Sequence, residues 1–527
     1  MAPDAAISLD EPLKVPSLAR DARSHFLVNI TSNVLYTGMA AAAMTLYIPF
    51  LVGHLGVAAY GVIPLAHMAV MYMSTITEGL NITVNRYLSI DLYRRDVDAA
   101  NATFSTATAI SIASIGLLLP FALVGIWFFP IIFQVPAGLE TQARALFTCM
   151  VATFFLSLLE ANLAVSTFVY HRFDLRNLVR GVNLITRMAI PAFLFLLMPP
   201  DLWQVGIGFI LGGLLGLLGF WWLWRALTPE LNFSWAAVDF SRSRELVSVS
   251  GWALVNRLGM LLFLSADLVI VNWYFGADLT GQYGMLLMFP ELIRQVVDAL
   301  TSVLNPGIIS RYAMQDFRGL AQLASRSLKF LGIGLAIPIG LLCGFSGPLL
   351  RTWIGPEFQH LDLLLAVLIG HLCINMATLP LSLVLTSYNR VRIQGLVTLA
   401  LSIANILLAV ALTPWGLVGV AFATAIIMTI RNVIFMASYT AYLMKVPAWT
   451  YYRPLIGGVI GTVAIGGAAY AISEALQPEG WLELGFLATL LALIYTALAF
   501  SITLDRGDRK IALSMLPARW RRVFPRA

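Results

Sequence analysis

Charge is scarce in this chain: Asp, Glu, Lys and Arg make up 11 % of 527 residues, while 59 % are hydrophobic and the mean hydropathy is +0.83. A soluble enzyme of this length would carry roughly twice that charge. The three cysteines, Cys149, Cys343 and Cys373, all sit in apolar runs. They read as small core residues, with neither a disulfide framework nor a metal spacing. Also missing are a nucleophile motif, a phosphate loop, a zinc spacing and a supported pair of catalytic carboxylates. The first 25 residues are polar and lack the apolar core of a cleavable signal, so they read as a cytoplasmic tail. A pI near 9.2 in such a chain carries no implication of nucleic acid.

What the chain has in abundance is apolar length. Windows of about 20 residues give fourteen candidate spans. They begin near Phe26, Ala58, Thr103, Arg144, Leu175, Trp203, Gly251, Gly281, Ser327, Leu361, Ile393, Leu417, Pro454 and Leu482. The connections are short, which leaves no room for a soluble catalytic domain. Of 33 Lys and Arg, 27 fall before span one or after even-numbered spans, and only Arg144 and Arg351 fall on the other side. Positive charge concentrates on the cytoplasmic side, so both termini are expected inside. The fold class is therefore an all-α polytopic membrane protein with fourteen transmembrane helices.

An internal repeat follows. Glu78-Gly-Leu-Asn81-Ile-Thr-Val-Asn85 aligns with Asp298-Ala-Leu-Thr301-Ser-Val-Leu-Asn305 at an offset of 220, and Gly56 aligns with Gly276. Arg86-Tyr87-x-x-x-Asp91 aligns with Arg311-Tyr312-x-x-x-Asp316 at an offset of 225, implying a five-residue insertion at 306–310. Two pseudo-symmetric six-helix lobes, 26–226 and 249–444, are expected in parallel orientation, with a cavity between them. An amphipathic cytoplasmic linker at 227–248, a C-terminal helix pair at 445–504 and a basic cytoplasmic tail at 505–527 complete the division. The linker reads as an interfacial helix, and the tail as either solvated or in contact with anionic lipid.

Four arginines, Arg187, Arg257, Arg294 and Arg431, lie within spans. Charge in the hydrocarbon is costly and marks functional candidates, and the arginine fork suits phosphate or carboxylate. On span eight, Glu291, Arg294, Asp298, Thr301 and Asn305 share one narrow helical face. Asn29, Asn33 and Thr37 form a polar stripe on span one, and Glu78, Asn81 and Asn85 one on span two. The carboxylates Glu78, Glu160, Asp267, Glu291 and Asp298 can carry a proton or bind Na⁺. A purely structural reading stays open beside these: Glu291 with Arg294 as a helix-joining pair, and Arg187 and Arg431 tied to neighbouring helices. His67 and His371 read as packing residues.

The 6+6+2 plan, the parallel repeat, the buried arginines, the Gly56…Tyr60-Gly61 turn and the Arg86-Tyr87 end of span two carry a resemblance. The chain resembles the multidrug/oligosaccharidyl-lipid/polysaccharide exporter superfamily, and within it the polysaccharide-transporter branch of O-antigen-type flippases. That resemblance implies translocation of undecaprenyl-pyrophosphate-linked oligosaccharide across the bacterial inner membrane by alternating access. The partners it implies are that polyprenyl-linked sugar, the lipid bilayer and other membrane proteins of polysaccharide assembly. No cofactor is expected beyond H⁺ or Na⁺ coupling through Asp267, Glu291, Asp298 and Glu78. Arg257 and Arg294, with Arg187 and Arg431, would meet the pyrophosphate, and Asn29, Asn33, Asn81 and Asn85 the sugar. The rival readings are a cation-coupled multidrug exporter, a peptidoglycan-precursor flippase and a polyprenol-dependent glycosyltransferase. The last needs a sizeable outer catalytic loop that this sequence lacks.

Overall fold

A computed structural model describes residues 26–239, 251–505 and 507–509. The helices begin with α1 (Phe26–Leu55), α2 (Val57–Tyr93), α3 (Val97–Ile132), α4 (Glu140–Leu163), α5 (Phe173–Leu197) and α6 (Leu202–Leu227). They continue with α7 (Gly251–Leu286), α8 (Met288–Ser302), α9 (Asn305–Ala313), α10 (Phe317–Gly344), α11 (Asp362–Gly370) and α12 (Leu379–Ser387). Next come α13 (Val391–Ala411), α14 (Gly416–Thr429), a π-helical turn at Ile430–Met436 and α15 (Ala437–Met444), then α16 (Trp449–Leu476) and α17 (Trp481–Leu498). No strand occurs among the described residues.

Thirteen apolar helical segments among these residues are long enough to cross a bilayer, and one of them, Leu254–Ala313, has 60 residues. Straight, that segment would reach about 90 Å, some three times the hydrocarbon thickness. It is folded back instead at Gly276, with φ 81° and ψ −174°. Only glycine adopts that conformation readily, so the segment holds two crossings, which makes fourteen among the described residues. The second of these crossings is itself interrupted. Pro306 has no N–H to continue the ladder, and the helix breaks at Val303–Leu304 before α9. Asn305 is the first residue of α9.

The repeat is visible in backbone angles. Gly56 turns α1 into α2 at φ 80°, as Gly276 does at φ 81°. Arg95 and Gln315 share left-handed values of 58° and 56°, and His171 and Asn389 share 53° and 54°. Asp96 Oδ1 caps Ala99 N at 2.9 Å, and Asp316 Oδ1 caps Gly319 N at 2.9 Å. The offset is 220 from Gly56 through Ala99 and 218 at His171. The five-residue insertion inferred at 306–310 is thus corrected. Val57–Tyr93 and its counterpart 277–313 have equal length, and the break before α9 consumes no extra residues. Arg86-Tyr87 matches Arg311-Tyr312 as a string but not as a position.

By packing, the described chain separates into two compact units. The first contains residues up to Tyr47, Met73–Ile132 and the stretch from Gly138 through the linker. Here α6 starts at a capping box in which Asp201 accepts from Trp203 N at 3.3 Å and Gln204 Oε1 accepts from Asp201 N at 3.0 Å. The linker is not an α-helix in its described part: through Asp239 it holds one 3₁₀ turn, Trp235–Ala237. Its backbone N–H groups are taken by side chains of α3 instead. Asn232 N donates to Asn101 Oδ1 at 2.7 Å, Ser234 N to Ser105 Oγ at 3.1 Å and Asp239 N to Thr106 Oγ1 at 3.0 Å. Residues 240–250, the other half of the expected linker helix, lie outside the described residues.

The second unit contains Ile48–Tyr72, Phe133–Ala137 and the chain from Gly251. Its two helix turns meet through glycine. A Cβ on Gly61 would lie 2.8 Å from Gly281 N and 2.9 Å from Ala277 O, and one on Gly281 would lie 2.1 Å from Val57 O. Val57 and Ala277, like Gly61 and Gly281, are repeat equivalents. The contact is therefore reciprocal, as at a two-fold interface, and glycine permits the close backbone approach.

Candidate functional site

The polar groups that converge in the second unit start from α7. Asp267 is only 4 % exposed, yet its carboxylate is supplied with donors from three directions. The Thr424 hydroxyl of α14 donates to Oδ2 at 2.7 Å, and the Tyr283 hydroxyl, past the Gly276 bend, donates to the same oxygen at 3.2 Å. Asn405 Nδ2 of α13 reaches Oδ1 at 3.5 Å and lies 2.9 Å from Thr424 Oγ1. Close approach of α7 to α13 is permitted by Gly259, where a Cβ would stand 3.0 Å from Leu399 N. A buried carboxylate requires such partners, since its desolvation is otherwise uncompensated.

Arg294 of α8 connects this buried acid to a more open face. Its guanidinium interacts electrostatically with Glu291, Asp298 and Asp267, and with His371. The Nε lies 3.5 Å from Glu291 Oε2, too far and poorly aimed for a hydrogen bond, and is buried without a partner. Glu291 also accepts from Gln295 Nε2 at 3.2 Å. Exposure falls across one arc of α8: Glu291 and Asp298 are exposed, Arg294 half-buried and Thr301 buried. Arg257, exposed on α7, acts on the charge of Asp298. Five of the residues singled out in the sequence, Arg257, Asp267, Glu291, Arg294 and Asp298, are thus gathered in one neighbourhood.

The other singled-out residues lie elsewhere. Arg431 is 5 % exposed on the π-helical turn, with Nε donating to Thr398 Oγ1 at 3.0 Å and a terminal nitrogen to Asn432 Oδ1 at 2.6 Å. A π turn offers an additional residue to the interior. Asn432 in turn donates to Asn375 O at 3.3 Å, and Asn375 Nδ2 contacts His371 Nδ1 at 2.9 Å. Arg187 lies on α5 in the first unit, its guanidinium 5.0 Å over the Phe209 ring. Asn29 and Asn33 are engaged with α5. Asn29 Nδ2 donates to His171 O at 2.7 Å while its Oδ1 accepts from Asp174 N at 3.2 Å. Asn33 Oδ1 accepts from Asn177 Nδ2 at 2.7 Å. Glu78, Asn81 and Asn85 fall on α2, and their side chains lie outside the described residues.

Sequence reasoning missed Tyr283, Thr424 and Asn405, the donors to Asp267. Each is a single polar residue in an apolar run, 16, 157 and 138 positions from the acid, and no spacing rule joins them. Among the described residues no group of three His, Cys, Asp or Glu side chains could hold a metal ion.

No family model matches the chain. It is 29 % identical over 492 residues to EpsK of Bacillus subtilis strain 168, named an uncharacterized membrane protein, covering 93 % of this chain and 97 % of that one. Among solved structures, the lipid II flippase MurJ in an inward closed conformation superposes with a TM-score of 0.65 at 14 % identity, over 90 % of this chain and 99 % of that one. An inward-facing MATE family multidrug resistance transporter of the MOP superfamily gives 0.61 at 12 % identity, over 82 % and 96 %. The bent form of the Vibrio cholerae MATE transporter VcmN gives 0.53 at 15 % identity, over 84 % and 99 %. The chain is a polytopic membrane protein with the fold of the multidrug/oligosaccharidyl-lipid/polysaccharide (MOP) exporter superfamily.

Proposed function

We propose that this protein is a flippase that moves an undecaprenyl-pyrophosphate-linked oligosaccharide across the bacterial inner membrane by alternating access. The observation that carries the reading is Arg294. It is a half-buried guanidinium in a transmembrane helix, paired with Glu291 at 3.5 Å but with an Nε that makes no hydrogen bond, and Asp298 senses both it and a second arginine, Arg257. A cation at that depth is costly unless an anion meets it, and two guanidiniums match the charge and bidentate geometry of a diphosphate. The fold shared with a lipid II flippase is in keeping with such a cargo.

In this reading Arg257 and Arg294 hold the pyrophosphate. A sugar contact at Asn29 or Asn33 requires their bonds to α5 to exchange. Asp267 is the coupling group. Its oxygens, with the hydroxyls of Thr424 and Tyr283, form a set suited to a proton or Na⁺, with Asn405 donating from its amide nitrogen, and Arg294 lies near enough for the two charges to sense each other. The shared electrostatics supply the link that makes cargo and ion binding interdependent.

The MATE likeness and the exposed acids Glu291 and Asp298 support one rival, a cation-coupled exporter of cationic drugs. A direct test separates the two. Purified protein in nanodiscs is titrated with a water-soluble polyprenyl-pyrophosphate analogue at two salt concentrations. Binding that weakens with salt and falls at least about ten-fold in Arg257→Ala/Arg294→Ala agrees with the flippase. Absence of binding, with affinity for cationic drugs that depends on Glu291 or Asp298, overturns it.

A further inference from the structure

A second cationic cluster, in the first unit, remains outside this scheme. Arg176, Arg180, Asn183 and Arg187 fall within an arc of roughly 60° on α5 at 100° per residue. The structure puts Arg176 and Arg180 in the first two turns of α5. From Arg176 to Arg187 the helix rises about 16 Å, which carries the stripe from its cytoplasmic end to about 21 Å inward.

The three guanidiniums act electrostatically on one acid. Glu160, half-buried on α4, interacts electrostatically with Arg180, Arg187 and Arg176, and Arg176 and Arg180 are close enough to repel each other. Three positive charges against one negative leave an excess of two. Among the described residues none of these arginines makes an ion pair within 4 Å, and the buried Nε atoms of Arg176 and Arg187 have no hydrogen-bond partner. A structural tie between α4 and α5 would close such contacts, since half-made charge networks in low dielectric cost more than none.

Room for the cluster is built into α6. A Cβ on Gly212 would lie 2.8 Å from Arg187 Cγ, and one on Gly216 would lie 2.8 Å from Asn183 Nδ2 and 3.1 Å from Glu160 Oε2. Glycine every fourth residue leaves a trough along that helix, and the side chains of Arg187, Asn183 and Glu160 lie against it. The Phe209 ring holds the Arg187 guanidinium from one side.

We propose that Arg176, Arg180 and Arg187 form a binding site for a dianionic phosphate or diphosphate group, in which Glu160 is the displaceable internal counter-ion. The ligand brings the two negative charges the cluster lacks, and its oxygens accept from the orphaned N–H groups. When it enters, Glu160 gives up the guanidiniums it shares. The site is distinct from Arg257 and Arg294 and does not depend on the function proposed for them. The phosphate can come from free anion or from a lipid headgroup.

The test uses the full chain in phosphatidylcholine nanodiscs, in an Arg257→Ala/Arg294→Ala background that removes the other anion site. One arm titrates inorganic pyrophosphate by calorimetry. The other measures the thermal midpoint with and without a few mole per cent phosphatidic acid in the disc. Arg187→Gln and Arg180→Gln are expected to weaken the interaction about ten-fold each, and Glu160→Gln to strengthen it about as much. A gain from Glu160→Gln cannot arise from misfolding, which keeps the proposal falsifiable if an arginine variant unfolds. Pyrophosphate binding without a lipid effect identifies a free anion, and the converse identifies a headgroup. Absence of both, or a loss of affinity in Glu160→Gln, overturns the site. Failure of translocation to depend on Arg294 would overturn the proposed cargo instead and leave this site standing.

Discussion

Positions 47 and 187 of the first unit correspond, at offsets of 220 and 218, to positions 267 and 405 of the second. Both pairs touch. In the second unit they are Asp267 and Asn405, 3.5 Å apart through side chains, and in the first Tyr47 and Arg187, whose contact runs from the Tyr47 hydroxyl to the Arg187 carbonyl at 3.4 Å. Thr424, which donates to Asp267, corresponds to Gly206 at the same offset of 218. The duplicated scaffold thus carries opposite chemistry at matched places. One copy encloses an anion among hydroxyls and an amide. The other frees a guanidinium that its own helix neighbours do not satisfy. A closed network suits a group that must be held until one small ion arrives. An open cluster suits a group awaiting a ligand.

Both clusters hang on the common frame, and the largest effect should come from breaking it. Gly281→Leu would drive a side chain into the Val57 carbonyl, 2.1 Å from the Cβ position, with no flexible neighbour to yield. Overpacking of about 3 kcal/mol or more is expected, seen as loss of monodisperse protein on size exclusion. Next in size, Asp267→Asn should leave the thermal midpoint within a few degrees while reducing ion-driven transport at least about ten-fold in proteoliposomes. Transport that persists with its ion dependence intact would remove Asp267 from coupling. Third, Thr424→Val takes the shortest donor from a buried carboxylate and should cost about 1–3 kcal/mol in denaturant unfolding. Arg187→Gln, at the open counterpart, should cost under about 1 kcal/mol because no hydrogen bond is lost from its side chain. Equal costs for these last two would erase the distinction between closed and open clusters. Smallest is Tyr47→Phe, which removes the 3.4 Å bond to the Arg187 carbonyl and should change stability by about 0.5 kcal/mol.

Much of the fold was legible because its signals are local. Apolar length gives the crossings, and Gly56 and Gly276 mark matched turns. The register of the repeat beyond Asn85 was not legible. Arg86-Tyr87 and Arg311-Tyr312 are similar strings at different positions, and the deciding feature, left-handed turns at Arg95 and Gln315, does not depend on residue type. The described part of the linker, through Asp239, departs from the expected helix for a related reason. An amphipathic pattern predicts a helix only where nothing else takes the backbone N–H groups, and here Asn101, Ser105 and Thr106 take them. At the candidate site, charge within apolar spans pointed to Arg294, Arg257 and Asp267, because such residues stand out against lipid-compatible neighbours. Tyr283, Asn405 and Thr424 do not stand out. They are ordinary polar residues until the helices bring them to one carboxylate.

The claim with most depending on it is that Arg294 meets the pyrophosphate of a lipid-linked sugar. Proteoliposomes loaded with a fluorescent undecaprenyl-pyrophosphate oligosaccharide, and a membrane-impermeant quencher outside, report translocation directly. Wild-type protein should expose the label in a manner set by the imposed ion gradient. Arg294→Lys should retain a fraction of that rate, and Arg294→Ala should lose at least about ten-fold. Equal rates for wild type and Arg294→Ala would contradict the account.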